Sequence, residues 1–259
     1  MHPHDPAAVA VIKAIHTGDL EMLKRLLSED PGLATARIGV DEGGDRECEA
    51  DGKCRTLLHI ATDWPGHFPN GAATVTALTG AGAAVNARFI GPHSSETPLH
   101  WAASSDDVEV LDALLDSGAD IEAPGAVIAG GTALDDAVAF GQWRAAHRLV
   151  DRGAQTALWH AAALGLMDRI EQHFASGMPP ARHPWGDRTA YPNEVTIAFW
   201  CACHGGQRQS AEYLIDRGAE RNWVSVWDGL TPLDAARRAG VDELVEWLRG
   251  RGATSAKPN

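Results

Sequence analysis

Tyrosine occurs only twice in the 259-residue chain, and methionine and cysteine four times each. Four irregularly placed cysteines make neither a disulfide framework nor a matched pair of zinc-binding motifs. Cys201 and Cys203 stand two apart in an apolar segment, where helical side chains diverge, so they read as core residues rather than metal ligands. Cys48 and Cys54 flank an acidic stretch that lacks the closing glutamate of a calcium loop; a mobile acidic loop, with neither metal nor disulfide, is expected. Basic residues are also scarce, 22 against 35 acidic ones, for a formal charge of −13. No basic stripe is present to meet phosphates, which excludes nucleic acid as the expected partner. No apolar run approaches the roughly 20 residues of a membrane span, and residues 1–6 lack the features of a signal peptide, so a cytoplasmic protein is expected. Neither a G-x-S-x-G elbow nor a glycine-rich phosphate loop occurs. No cofactor and no metal are expected, and the catalytic residues, if there are any, are not identified.

What is present is repetition. The phrase Thr97-Pro98-Leu99-His100-Trp101-Ala102-Ala103 recurs in worn copies starting at Thr56, Thr132, Thr156 and Thr231. A second phrase follows each copy, as in Leu114 to Glu122, Leu149 to Ala154, Leu214 to Ala219 and Leu248 to Ala253. Two linked phrases recurring roughly every 24 to 41 residues describe a stacked helical repeat. Thr97 suits a helix N-cap and Pro98 the first turn. Gly118, Gly153, Gly218 and Gly252 fall just after apolar runs, where a left-handed residue ends a helix.

These phrases resemble the ankyrin repeat. The resemblance implies an all-α ankyrin-repeat solenoid of stacked helix-turn-helix units with projecting hairpin loops. It implies about seven helix pairs, some degenerate, in a single domain over residues 7–253, with tails at 1–6 and 254–259. The pairs begin near Ala7, Thr56, Thr97, Thr132, Thr156, Ile197 and Thr231. Departures include an insertion, Pro65 to Asn70, inside the second pair, and long connections at 37–55, 177–194 and 220–229. His59 and His100 take the family's histidine position, which ties one repeat to the next hairpin. Trp159 and Trp200 stand there in the fifth and sixth pairs, so the polar tie is expected to be missing, and His160 is displaced toward the open face. Trp101, Trp143 and Trp247 are expected in the core.

In proteins of this kind the inner helices and hairpins line a concave face. Its most open positions correspond here to Asp63 and Trp64, Ser104 and Ser105, Ala139 and Phe140, Ala163 and Leu164, and His204. That row is apolar and aromatic in the middle, with ionisable groups to either side. The stiff turn Asp63–Asn70 adds His67, the following hairpin adds His93, and Trp223 and Trp227 stud the hairpin before the last pair. Nine tryptophans against two tyrosines fit a surface that uses large rigid rings as anchors. The expected binding residues are therefore Asp63, Trp64, His67, His93, Ser104, Ser105, Phe140, His160, Leu164, His204, Trp223 and Trp227. The leading expectation is a recognition module that clasps a partner protein or peptide, cationic or neutral, in an aromatic concave groove. The alternative is a ligand groove for a small organic molecule, or an enzyme in which Asp63 and a histidine such as His67, His93 or His204 act as acid and base.

Overall fold

In the computed structural model, which describes residues 1–39, 53–91, 95–176 and 193–256, five inner helices open with the same side-chain device. At the start of α5 (Pro98–Ser104), the Thr97 amide donates to His100 Nδ1 at 3.1 Å, with Thr97 Oγ1 2.9 Å from the same nitrogen. Thr56 and His59 repeat the arrangement at α3 (Leu57–Ala61). An aspartate does the same work at α7 (Ala133–Ala139), where Asp135 Oδ2 accepts from the Thr132 amide and hydroxyl at 2.6 and 2.7 Å. At α13 (Pro232–Ala239), Asp234 Oδ2 accepts from the Thr231 hydroxyl at 2.9 Å. Orphan donors at these helix starts are thereby satisfied by a group three residues on.

The described chain divides into two compact units, Met1–Ala154 and Gln155–Asn259. In the first, α1 (Pro6–Thr17) pairs with α2 (Leu20–Glu29), α3 with α4 (Gly71–Gly80), α5 with α6 (Val108–Asp116), and α7 with α8 (Trp143–Asp151). The inner helices α1, α3, α5 and α7 pack in succession, as do the outer helices α2, α4, α6 and α8. Buried Ala102, Ala103, Ala137, Ala145 and Ala146 let the layers approach closely. Between outer helices, Arg148 of α8 and Arg152 just after it both bond Asp112 of α6 at 2.7–2.9 Å and hold its carboxyl below the usual range. A short antiparallel pair, β1 (Arg37–Gly39) and β2 (Cys54–Thr56), joins the hairpin through Cys54 and Ile90. Cys54 is disulfide-bonded, which corrects the expectation of no disulfide at that end of the 37–55 connection. The acidic stretch 40–52, residues 92–94 and most of the 177–194 connection lie outside the described residues.

In the second unit, α9 (Leu158–Leu164) pairs with α10 (Met167–Ser176), α11 (Glu194–His204) with α12 (Arg208–Ile215), and α13 with α14 (Asp242–Gly250). Inner helix α11 packs on both α9 and α13. Cys201 and Cys203 are buried there, and burial pushes both thiols up. Segment 220–230 folds back through the Ser225 amide, which donates to the Leu230 carbonyl at 2.9 Å. Ser255 Oγ and the Ala256 amide close on the Asp234 carboxylate after α14, keeping that acid low.

One bond type recurs at the joints. The second imidazole nitrogen of His59 lies 3.1 Å from the Glu96 carbonyl, and that of His100 lies 3.4 Å from Gly131 O. Each accepting residue immediately precedes the cap of the next inner helix. Trp200 makes the equivalent bond in the second unit, donating from Nε1 to the Leu230 carbonyl at 3.0 Å. The expected loss of the tie at Trp200 is thus corrected, because an indole N–H replaces an imidazole N–H. In the fifth pair it is the register that is corrected. Its helix starts one residue later than the repeat phrase implies, with Ala157 as cap, and the Ala157 amide donates to His160 Nδ1 at 3.0 Å. His160 therefore occupies the histidine position, and Trp159 is a buried neighbour. Trp101, Trp143 and Trp247, expected in the core, are half-buried.

Because Nδ1 accepts from an amide, the ring must carry its proton on Nε2, and burial pushes both His59 and His100 down to about 4 from 6.5. Histidines so depressed leave stability intact above about pH 6.5 and remove it as pH falls toward about 4. Each contributes at most about 1.4 kcal/mol per pH unit. Denaturant titrations over that interval should show the loss, and His100→Gln should shallow the slope. Trp200→Phe should lower stability by about 0.5–1.5 kcal/mol by removing the indole bond to the Leu230 carbonyl, which keeps its bond from the Ser225 amide; an unchanged melt would remove the tie from the account.

Candidate interaction surface

Helix α3 is only five residues long, and its end is written in the sequence. Thr62 turns its hydroxyl back on the Leu58 and His59 carbonyls, each at 3.1 Å. Pro65 then removes an amide and disfavours helical backbone at Trp64. The chain runs out as a loop, 62–70, with a cis Trp64–Pro65 peptide, before α4 begins at Gly71.

That loop grips the helix pair on either side. Toward the first pair, Asn70 Nδ2 donates to the Gly18 carbonyl at 2.9 Å and Phe68 stacks on His16 at 4.6 Å. A Cβ at Gly18 would stand 2.2 Å from the Pro69 carbonyl oxygen, so only glycine permits the approach. Toward the third pair, the His67 amide donates to Asp107 Oδ2 at 2.7 Å, and its Nε2 lies 3.0 Å from the Ser105 carbonyl. Gly66, at φ +73, sits where a Cβ would meet Ser105 Cβ at 2.8 Å. Asp63 pairs with Arg55 of β2 and also accepts from the Trp64 amide at 2.9 Å. With its neighbours fixed, Trp64 is left 81% exposed.

Positions equivalent to Trp64 in the next two pairs are Ser105 and Phe140, each at the end of its inner helix. Ser105 is half-buried and Phe140 is 48% exposed. Behind them, Trp101 packs edge-on to His59 at 5.0 Å and beside Phe89 at 5.5 Å. Ser104 is half-buried, and its carbonyl accepts from Gln142 Nε2 at 2.8 Å. The first unit therefore presents two exposed aromatics around a serine.

In the second unit, Trp227 stacks edge-on to Trp200 at 4.9 Å and lies 5.1 Å from Trp223. Arg238 bonds Asp228 at 2.9 Å and His204 Nδ1 at 3.3 Å. Val224 and Val226, 45% and 58% exposed, flank this cluster on the hairpin. His204 is half-exposed at the end of α11.

Two expected contact residues are corrected. His160 and Leu164 are each only 4% exposed, the first because it caps α9 and the second because it closes the inner layer. His93 lies outside the described residues. Acid–base geometry does not form where it was expected in the first unit: Asp63 engages Arg55, while the His67 ring turns to Ser105 and Asp107. A cleft of about 160 Å3 is lined by His67, Phe68, Asp107 and Arg144, and not by Asp63. Among the described residues, no group of three or more His, Cys, Asp or Glu is placed to hold a metal ion. None of their helices is long and apolar enough to cross a membrane.

Sequence reasoning missed Arg55, whose charge meets Asp63, and it placed Arg238 on the open face without its bonds to Asp228 and His204. A signal existed for Arg238, since it occupies the open position of the last inner helix, but none marked Arg55. Gly66→Ala should strain the loop against Ser105 and destabilise the first unit by about 1–3 kcal/mol. Faster amide exchange at His67 and Gly71 would register it; unaltered exchange would mean the loop is not clamped there.

No match was found among curated proteins. Residues 95–126, which span the end of one hairpin, α5, α6 and the turn beyond, match the family model for the ankyrin repeat, so the mostly helical architecture is of ankyrin type.

Proposed function

We propose that this chain is a protein-recognition module in which all seven helix pairs are ankyrin repeats. In the first unit, Trp64 and Phe140 are the anchors for a partner protein or extended peptide. The observation that carries the reading is Trp64, 81% exposed on a loop bonded to both neighbouring helix pairs. A large ring held outward on a fixed backbone loses little entropy on binding. Trp64 and Phe140 are two repeats apart. With about 8–10 Å between packed helices, their spacing is on the order of 16–20 Å. That span suits five or six residues of extended peptide at about 3.3 Å each, rather than one small molecule. The net charge of −13 favours encounter with a cationic partner. In the second unit, Trp223, Trp227 and His204, with Val224 and Val226, offer a second contact surface of the same character.

The small-molecule and enzymatic alternative draws no support from this geometry, because Asp63 and His204 are each held by an arginine.

Peptides selected from a random library on the intact protein provide the test. Affinity for Trp64→Ala should fall at least about tenfold, with an unchanged melting curve. Selected peptides that bind the variant as tightly as the parent would reject Trp64 as an anchor.

A further inference from the structure

Asn70-Gly71 is the one place in the chain where asparagine precedes glycine. An asparagine in that setting is self-reactive: the next main-chain nitrogen can attack its side-chain Cγ, and glycine hinders the attack least because it has no side chain. Packing requires both residues. Asn70 stands at φ +58 and ψ +26, a left-handed conformation that asparagine tolerates better than most residues. Its Nδ2 also donates to the Gly18 carbonyl at 2.9 Å, a bond that neither glycine nor aspartate could supply. Gly71 opens α4 against α6, where a Cβ would stand 2.6 Å from Cγ2 of the buried Val110. A reactive dipeptide is therefore built into the loop that carries Trp64, with Asn70 on the exposed surface. In the closed loop both reacting groups are occupied. The Gly71 amide donates to the Phe68 carbonyl at 3.0 Å, and the side-chain amide that must leave as ammonia is tied to Gly18. Those two bonds have to open before the nitrogen can turn on Cγ.

We propose that Asn70 is a site of slow self-modification gated by loop 62–70, and that its deamidation irreversibly frees the loop from the first helix pair. Gly71 N loses its proton and bonds to Asn70 Cγ, while the Cγ–Nδ2 bond breaks and ammonia leaves with that proton. A cyclic imide remains. Water then adds to either of its carbonyl carbons and reopens the ring as aspartate or isoaspartate, so that water enters, ammonia leaves and no oxidant or reductant is needed. Either product puts a carboxylate where a donor stood, and a carboxylate only accepts. Facing the Gly18 carbonyl, acceptor meets acceptor and the grip on the first pair is lost. The grip on the third pair, through the His67 amide and Asp107, is untouched. Helix α4 tolerates the new charge, because an anion beside a helix N-terminus is favoured. One side of the loop is thereby loosened without unfolding the unit. The reaction is independent of what the aromatic surface binds.

Peptide mapping by mass spectrometry tests it, on the full chain held folded in mildly alkaline buffer beside the same chain unfolded in guanidinium chloride. Conversion to aspartate and isoaspartate should appear at Asn70 in both samples, at least about tenfold slower in the folded one, as two closed bonds require. Gly66→Ala, which strains the loop, should narrow that gap. Asn70→Asp, one of the two products made directly, should speed amide exchange at Gly71 by at least about threefold and leave exchange at His67 unchanged. Should that variant not fold, the aged parent chain gives the same readout. Equal rates in the folded and unfolded chains would remove the gate. No conversion in the folded chain, while the unfolded chain converts fully, would remove the site. Unchanged exchange at Gly71 after conversion would remove the release, and any of the three overturns the proposal.

Discussion

A single side-chain N–H donated to the carbonyl just before the next helix cap is the constraint on which the joints α3–α5, α5–α7 and α11–α13 depend. Helix-on-helix burial alone is permissive, since the inner layers are built largely of alanine, leucine and cysteine and could slide. A directional bond fixes where each hairpin meets the next inner helix. His59 and His100 supply it through Nε2, and Trp200 through its indole. The chemistry conserved between these joints is a buried, neutral N–H donor, not a residue type. The imidazoles must also stay unprotonated, because Nδ1 of each accepts from the amide of its own helix cap, and that is why their joints weaken in acid.

Fixed joints are also what make the loop 62–70 useful. It reaches from Gly18 to Ser105 and Asp107, so its shape is set by three successive helix pairs rather than by its own residues. Glycine stands at both points of closest approach, and polar side chains along the loop are spent on internal bonds. What remains outward is the Trp64 ring. A surface whose polar groups are already satisfied gives up little to water when a partner covers it, which favours recognition by aromatic contact over chemistry.

Much of the architecture was legible in the sequence because capping and termination are local. Thr-Pro-Leu-His, the small pair after it and the glycine that ends each outer helix report backbone geometry directly, and the Pro65–Asn70 insertion announces itself by length. The fifth pair misled because the repeat phrase there begins with a threonine one residue too early. Thr156 looks like a cap, whereas Ala157 takes that place and His160 does the capping. Trp200 misled for a different reason: its bulk hid a donor that reaches as far as an imidazole. Long-range satisfaction of charge was not legible at all, since nothing local to Asp63 indicates Arg55.

The account stands most directly on the claim that the Trp64 loop is a preformed recognition element. A crystal structure of the chain with a library-selected peptide bound measures this in one step. The account predicts peptide density across the Trp64 ring toward Phe140, with the 62–70 backbone within about 1 Å of its free position. Peptide lying on the outer helices α4, α6 and α8, or a loop that has released Gly18 and Asp107 to accommodate it, would contradict the account.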